Sequence, residues 1–173
     1  MNSIIGFLYS LFFIIFHKPL EFLKEDLRLI YGWRYYKFKK ILSYLGEGTA
    51  FWKGVIIHGS NEVRIGNDTG IGDYVVIWGG GGVDIGNNVL IAAHSVITSQ
   101  AHDVRSKIFR LSHTKAKVII HDNVWLGAGV LVMPGVEIGA NTVVGAGSVV
   151  TKSLPPNSVA VGSPAVVIRK RND

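Results

Sequence analysis

Apolar residues recur every six positions through much of this chain. The clearest run consists of Ile120, Leu126, Val132, Ile138, Val144 and Val150. A strand repeats every two residues and an α-helix about every 3.6 residues, so neither element alone produces this period. Short strands separated by regular corners do produce it. The pattern therefore predicts an all-β solenoid, a parallel β-helix built from hexapeptide repeats.

The same period begins at Leu45 and is interrupted after Ile57, after Ile77 and after Ile97. The first two interrupted steps are eight residues long instead of six, and the third is 23 residues long. Each interruption follows three hexads. If three hexads make one coil, all three insertions leave from the same corner of a triangular prism. Function often lies in loops that a rigid scaffold positions, so we predict a functional site beside the long protruding loop, about residues 98–119.

The segment before the repeat differs in composition. Residues 4–16 are nearly all apolar, but they are fewer than the ~20 that a membrane-spanning helix needs. A helix-like, basic stretch follows at about 20–44. This order predicts peripheral membrane contact through residues 4–40, with packing against the body or a neighbouring subunit as the alternative. The predicted parts are a helical N-terminal segment at 1–44, the β-helix at 45–154 and a C-terminal extension at 155–173.

Composition and charge limit the kinds of site and the partners that this chain can have. The chain has no Cys, which excludes disulfides, thiolate metal sites and an acyl-cysteine intermediate. Its net charge is +6, and basic residues cluster in the long loop and near the C-terminus, which favours phosphates, acidic glycans or lipid headgroups as partners. The sequence holds no nucleic-acid-binding motif, so we expect no such partner. The expected location is the cytoplasm, at the inner face of the membrane.

Four segments carry a family resemblance. They are Ile-Gly-Asn-Asn-Val-Leu-Ile-Ala at 85–92, Asp-Asn-Val-Trp-Leu-Gly at 122–127, Gly-Ala-Gly-Ser-Val-Val-Thr-Lys at 145–152 and Val-Gly-Ser-Pro-Ala at 161–165. The chain resembles the hexapeptide-repeat acyltransferases over about residues 45–171, in particular the maltose, galactoside and capsular-polysaccharide O-acetyltransferase branch. The resemblance implies a left-handed β-helix, a homotrimer, acetyl-CoA bound between adjacent subunits and no required metal.

The resemblance also implies a catalytic histidine at the start of the long loop, where His102 matches. A histidine can accept a proton near neutral pH. His102 would remove the proton of an acceptor hydroxyl as the oxygen attacks the thioester carbonyl of acetyl-CoA. Because the chain has no Cys, direct transfer is favoured over a covalent relay. Asp103 either orients the imidazole or caps a turn, and we favour the turn.

Acetyl-CoA contacts are implied for six residues: Trp125, Ala128, Ala146, Thr151, Lys152 and Arg169. Trp125 stands one place before a repeat position, so we expect it to point outward. Lys152 and Arg169 suit the CoA phosphates. Relatives often carry another Arg where this chain has Val166, which leaves Lys170 or Arg171 to replace that contact.

The acceptor side departs from the family pattern. The sugar-contacting Asn of the galactoside branch falls at Gly72, beside Asp73, so free maltose or galactoside is not carried over as the substrate. His58 and Trp78 each follow a repeat position directly before an insertion, and Trp could stack on a sugar ring. His94 could line the same cleft, although a structural role is favoured. Asp73, His58, Trp78 and His94 are the acceptor-site candidates.

The sequence thus predicts an acetyl-CoA-dependent O-acetyltransferase acting on a carbohydrate, either a surface polysaccharide or a lipid-linked glycan precursor. Serine or amino-sugar acetylation is the alternative within the enzyme class. A zinc-dependent β-helix of the carbonic-anhydrase type is an alternative of another class. It needs three His ligands, and beyond His58 and His94 the expected third position, 99, is Ser. A non-catalytic scaffold is the remaining alternative.

Overall fold

The computed structural model describes residues 32–171. The described chain begins with a helix, α1, at residues 32–39, and continues as 19 strands. The predicted helix at about 20–44 is therefore confirmed at 32–39. Its earlier part, together with the apolar segment 4–16, lies outside the described residues. The division of the chain into three parts stays a prediction.

The strands form three parallel sheets that are the faces of a triangular prism. Face A consists of β1 (Tyr44–Leu45), β4 (Val63–Ile65), β7 (Val83–Ile85), β12 (Val118–Ile120) and β15 (Glu137–Ile138). Face B consists of β2 (Ala50–Phe51), β5 (Gly70–Ile71), β8 (Leu90–Ile91), β13 (Trp125–Leu126), β16 (Val143–Val144), β18 (Ser158–Gly162) and the antiparallel β19 (Ala165–Lys170). Face C consists of β3 (Ile56–His58), β6 (Val76–Trp78), β9 (Val96–Thr98), β14 (Leu131–Val132) and β17 (Val149–Val150). The predicted left-handed parallel β-helix is confirmed.

The repeat positions form the core. Every repeat residue from Ile65 to Val150 is at most 4% exposed. Ile57, in the first coil, is only partly buried. At that end of the prism, Phe38 of α1 packs on Phe51 with ring centroids 4.3 Å apart. The helix therefore covers one end of the core.

Polar side chains at the corners tie successive coils together. The Oδ1 atoms of Asn67 and Asn87 accept hydrogen bonds from the backbone N–H groups of residues 47 and 67, at 2.9 and 2.8 Å. Buried hydroxyls donate to carbonyl oxygens of the next coil, as Thr69 Oγ1 does to Gly86 at 2.9 Å. Buried polar groups need such partners, since an unpaired one costs about 1–3 kcal/mol. The same contacts therefore recur at corners of successive coils.

All three interruptions lie at one corner, as predicted. The connections from β3 to β4, from β6 to β7 and from β9 to β12 each run from face C to face A. We call this edge the C–A corner, and name the B–C and A–B corners in the same way. The long loop occupies residues 99–117, between β9 and β12. The prism therefore carries its insertions one above another on a single edge.

Truncating a repeat residue should destabilise the whole prism. Ile77 is fully buried, and Ile77→Ala should lower the free energy of unfolding by about 2–5 kcal/mol, because the cavity cannot close in a stacked core. Ile168→Ala, at a site 57% exposed, should change it by no more than about 0.5 kcal/mol. Urea unfolding of both variants at one protein concentration measures the difference. Equal losses in the two variants would show that the hexad positions do not form the stabilising core.

Candidate functional site

A two-stranded hairpin forms the base of the long loop. β10 (Gln100–Ala101) pairs antiparallel with β11 (Thr114–Lys115), with Gln100 opposite Lys115 and Ala101 opposite Thr114. The next opposed pair in this register is His102 and His113. Their rings lie 5.0 Å apart, tilted by 43°. The hairpin thus presents two imidazoles at the end of its ladder.

His102 is held through one ring nitrogen. Its Nδ1 lies 2.6 Å from the backbone carbonyl oxygen of Ser112. A carbonyl oxygen can only accept, so Nδ1 carries the hydrogen and a neutral ring has its free lone pair on Nε2. The side chain is exposed. This arrangement leaves Nε2 able to take a proton from a bound molecule.

Asp103 stabilises the turn that follows His102. Its Oδ1 accepts hydrogen bonds from the backbone N–H of Arg105 at 2.9 Å and from the Arg105 Nε at 3.2 Å. The backbone hydrogen bond, followed by the side-chain one, holds the pKa of Asp103 below its usual value. The imidazole of His102 is oriented instead by the Ser112 carbonyl.

A cleft of about 390 Å³ lies beside this hairpin. It is lined by Trp78, Val96, Thr98, Gln100, Ala101, His102 and His113. Trp78 is 39% exposed and stacks on His58, with ring centroids 4.0 Å apart and an interplanar angle of 21°. His58, Trp78 and Thr98 are in register on three adjacent strands. The cleft therefore combines a basic nitrogen with an aromatic wall, and His58 and Trp78 lie near the loop as predicted.

His113 is a site residue that the sequence did not indicate. It lines the cleft because the hairpin pairing places it opposite His102. No pattern in residues 99–117 shows which residues pair across the loop. A long basic loop with two histidines eleven residues apart was the only available signal.

The hairpin rests on the run Gly79–Gly82 of the coil below. The backbone N–H of Gly81 donates to Ser99 Oγ at 2.9 Å. A Cβ on Gly81 would overlap the carbonyl oxygen of Ser99, whereas a Cβ on Gly80 would overlap only the side-chain amide of Gln100. A backbone atom cannot move aside as a side-chain end can. Gly81 is therefore needed for the close approach of loop and coil.

Ala128 and Ala146 lie together at the B–C corner, on successive coils. The N–H of Gly147 donates to the carbonyl oxygen of Ala128 at 2.8 Å. A Cβ added to Gly129 or to Gly147 would meet no atom within 4 Å. The two alanines thus border an open shelf that runs along the corner.

The other four residues implied for acetyl-CoA lie on face B and at the C–A corner. Trp125 points outward from face B and is 50% exposed, as predicted. Strand pairing connects its position with that of Arg169 through Val143 and Val159. Three strand spacings separate the two residues, roughly 14 Å. Thr151 and Lys152 are exposed at the C–A corner, after β17. One chain therefore does not gather all six residues at one place.

The basic C-terminal residues differ in their surroundings. Val166, at the position where relatives often have Arg, is 57% exposed. The Arg171 guanidinium donates to the carbonyl oxygen of Asn141 at 3.3 Å, whereas Lys170 is exposed opposite Ser158. Lys170 is the cation that is more open to an added phosphate contact.

His94 and Asp73 lie at the B–C corner, away from the cleft of their own chain. His94 stacks on Tyr74 with ring centroids 5.4 Å apart and planes within 7°. Both stacked residues have positive φ, 61° and 55°, in a region that non-glycine residues seldom occupy. Asp73 Oδ1 accepts a hydrogen bond from the backbone N–H of Lys53 at 2.8 Å. Within residues 32–171 no three His, Asp or Glu side chains are grouped as metal ligands would be.

Two family models match this chain. Residues 117–152 match the bacterial transferase hexapeptide (six repeats), and residues 62–99 match the hexapeptide repeat of succinyl-transferase. Both matches fall on the coils described above. They flank the long loop and leave its tip outside.

Two curated relatives show how far the similarity extends. The chain is 35% identical over 150 residues to the putative colanic acid biosynthesis acetyltransferase WcaF of Escherichia coli, covering 83% of this chain and 78% of that protein. It is 48% identical over 87 residues to a galactoside O-acetyltransferase of Lactococcus lactis, covering 50% of this chain. The second match spans only 42% of that relative's length.

A solved structure matches the same fold. The hexapeptide-repeat containing acetyltransferase of Vibrio cholerae, complexed with acetyl coenzyme A, has a TM-score of 0.77 and 29% identity. The match covers 82% of this chain and 78% of that one.

Proposed function

Because this chain belongs to the hexapeptide-repeat transferase family, we propose that it transfers an acetyl group from acetyl-CoA to a carbohydrate hydroxyl, with His102 as the general base. The observation that carries this proposal is the hydrogen bond from His102 Nδ1 to the Ser112 carbonyl, beside the Trp78 cleft. This hydrogen bond orients the His102 ring, which can act as a base beside the Trp78 ring, a surface on which a sugar could stack.

The reaction needs a single transfer step. Nε2 of His102 takes the proton of the acceptor hydroxyl while its oxygen attacks the thioester carbonyl carbon. The tetrahedral intermediate collapses by breaking the carbon–sulfur bond, and the CoA thiolate takes the proton back from the imidazolium. A general base of this kind increases the reaction rate by about 10²–10⁴-fold. The chain has no Cys that could form an acyl-enzyme, which supports direct transfer.

A carbohydrate acceptor is supported by the aromatic wall of the cleft. Trp78 presents a large apolar ring, and His58 stacks against it. Such a surface suits one face of a pyranose, and the polar residues Thr98 and Gln100 line the same space. The named functions of the two relatives, galactoside acetylation and colanic acid biosynthesis, also concern carbohydrates. We propose a surface polysaccharide or its lipid-linked precursor as the acceptor.

We propose that the active form is a homotrimer with its sites between subunits. The outward positions of face C form an apolar column: Ile56, Val76, Val96, Leu131 and Val149. Exposed apolar residues also cluster at the loop tip, where Val104 is 84% exposed and Leu111 65%. Apolar patches of this kind mark contact surfaces. In a cyclic trimer two different surfaces meet at each interface.

Such an interface would complete the site. Within one chain, His102 lies at the C–A corner, and the shelf beside Ala128 and Ala146 lies at the B–C corner. A neighbouring subunit could place its B–C corner, with His94 and Asp73, against the cleft beside His102. Acetyl-CoA would then run along the shelf of one subunit and reach the base of another.

Two tryptophan variants test the division between donor and acceptor sites. Trp78→Ala should raise the KM for the acceptor about five- to tenfold, since aromatic stacking contributes about 1–1.5 kcal/mol, and should leave the KM for acetyl-CoA unchanged. Trp125→Ala should raise the KM for acetyl-CoA and leave the KM for the acceptor unchanged. The measurement is CoA release across a panel of glycans, with amino sugars and serine included. A preference for amines or serine, or equal effects of both variants on both KM values, would contradict the proposal.

A further inference from the structure

Helix α1 presents two different faces. One face packs on the prism, where Phe38 is 5% exposed, and Leu42, just after the helix, is 8% exposed. The opposite face holds large side chains in solvent: Trp33 and Tyr36 are each 67% exposed, and Ile41, just after the helix, is 42% exposed. The packing on Phe51 fixes the helix, so these side chains cannot turn inward.

The outward face is also strongly basic. Trp33, Tyr36, Lys37, Lys40 and Ile41 together line a shallow depression of about 390 Å³, which we call the α1 patch. Residues 32–46 contain Arg34, Lys37, Lys39 and Lys40 and no Asp or Glu. Lys39 lies outside the patch and donates to the Tyr35 hydroxyl at 3.1 Å, so the charge of the patch itself comes from Lys37 and Lys40. The patch therefore carries positive charge around exposed aromatic rings.

This combination suits one kind of partner. Trp and Tyr lie at the boundary between apolar and aqueous regions, with the ring in one and the polar group in the other. Lysine places its methylene stem along apolar surface and keeps its ammonium with anionic groups. We propose that the α1 patch docks on the headgroup region of an anionic lipid bilayer. No helix within residues 32–171 is long and apolar enough to cross a bilayer.

Other occupants fit the patch less well. A second copy docked through the same patch in a two-fold contact would bring lysines against lysines, since such a contact pairs identical surfaces. The trimer proposed above uses face C, the loop tip and the B–C corner, and leaves α1 free of that interface. A soluble anion would engage the lysines but leave Trp33 and Tyr36 in water. In the sequence, the apolar run 4–16 precedes the patch, which agrees with a membrane-facing end. The inference does not depend on the proposed acetyl transfer, but it would bring the protein to lipid-linked acceptors.

Vesicle flotation of the full chain tests the charge contribution. Vesicles of phosphatidylcholine alone should bind weakly, and vesicles with about one third phosphatidylglycerol should bind strongly. Lys37→Gln/Lys40→Gln should weaken binding to the anionic vesicles at least roughly tenfold, because each basic residue near the surface contributes. The matched variant Lys53→Gln/Lys115→Gln removes two exposed lysines elsewhere and should keep most of the binding. Equal losses in both double variants, or no binding by the unmodified chain, would overturn the proposal.

Quenching by brominated lipid tests the aromatic contact separately. Binding to brominated anionic vesicles should quench tryptophan fluorescence in the unmodified chain. Trp33→Phe should remove most of that quenching, and Trp125→Phe, at a residue of similar exposure on face B, should retain it. Quenching that survives Trp33→Phe would place the contact elsewhere. CoA release with a water-soluble acceptor should be unchanged in Lys37→Gln/Lys40→Gln, so failure of membrane docking is distinguishable from failure of the proposed chemistry.

Discussion

Replacing His102 by Ala should lower acetyl transfer by about 10²–10⁴-fold, the typical contribution of a general base. The loss should appear in kcat, because the imidazole acts on the proton and the acetyl-CoA residues implied by the family resemblance are untouched. The side chain is exposed and has one hydrogen bond, to the carbonyl of Ser112. Removing it should therefore leave the thermal unfolding midpoint nearly unchanged. Steady-state CoA release and circular dichroism melting measure the two effects.

His121→Ala is the matched control for this variant. His121 is also exposed and also has a side-chain partner, Glu137 Oε1 at 2.7 Å. It directly follows β12 of face A and does not line the His102 cleft. Its loss should leave acetyl transfer within about twofold, since surface changes away from special features have small effects. Near-normal transfer in His102→Ala would remove that residue from the mechanism.

Adding one methyl group at Gly81 should reduce activity almost as severely. In Gly81→Ala the new Cβ would overlap the carbonyl oxygen of Ser99, so the base of the hairpin must lift from the coil below. His102 lies three residues after Ser99 in the sequence, so it should be displaced together with Ser99. A displacement of about 1 Å can cost about 10²-fold. We expect kcat to fall by that order, measured as CoA release at saturating acetyl-CoA.

Gly80→Ala separates this effect from a general intolerance of the glycine run. Its Cβ would meet only the side-chain amide of Gln100, which can rotate away. We expect less than about fivefold loss, a cost below 1 kcal/mol in the barrier. If the two variants lose activity equally, the contact between Gly81 and Ser99 does not position the loop. Melting curves of both variants would show whether a loss reflects unfolding instead.

The two glycine variants also show where prediction from sequence stopped. Residues 79–82 are predicted to be an insertion at the same corner as the other two, and that position is confirmed. Their role as the support of the hairpin was not predicted. The role depends on atoms of Ser99 and Ala116, which are distant in sequence and reach the glycines only when the long loop folds back. Period and composition carry no information about that approach.

His113 and Asp103 illustrate the same limit. The expectation that Asp103 caps a turn agrees with its hydrogen bonds to Arg105, which are local and readable from adjacent residues. The partner of the His102 ring is the carbonyl of Ser112, ten residues away. The opposition of His102 and His113 likewise follows from the pairing of β10 with β11. A loop without a repeating pattern leaves that register open.

The hexad pattern alone was sufficient for the β-helix, its three faces and the corner that carries the insertions. The reason is physical: each coil repeats the same local geometry, so one buried position every six residues describes the whole core. The tertiary structure decided the contacts between segments without such a period. The tertiary structure determines the register of the hairpin and the close contact of Gly81 with Ser99. It also determines that His94 lies away from the cleft and which side chains of α1 face solvent. Those features depend on contacts between residues that are far apart in the sequence. The hexad repeat describes only local geometry and does not specify such contacts.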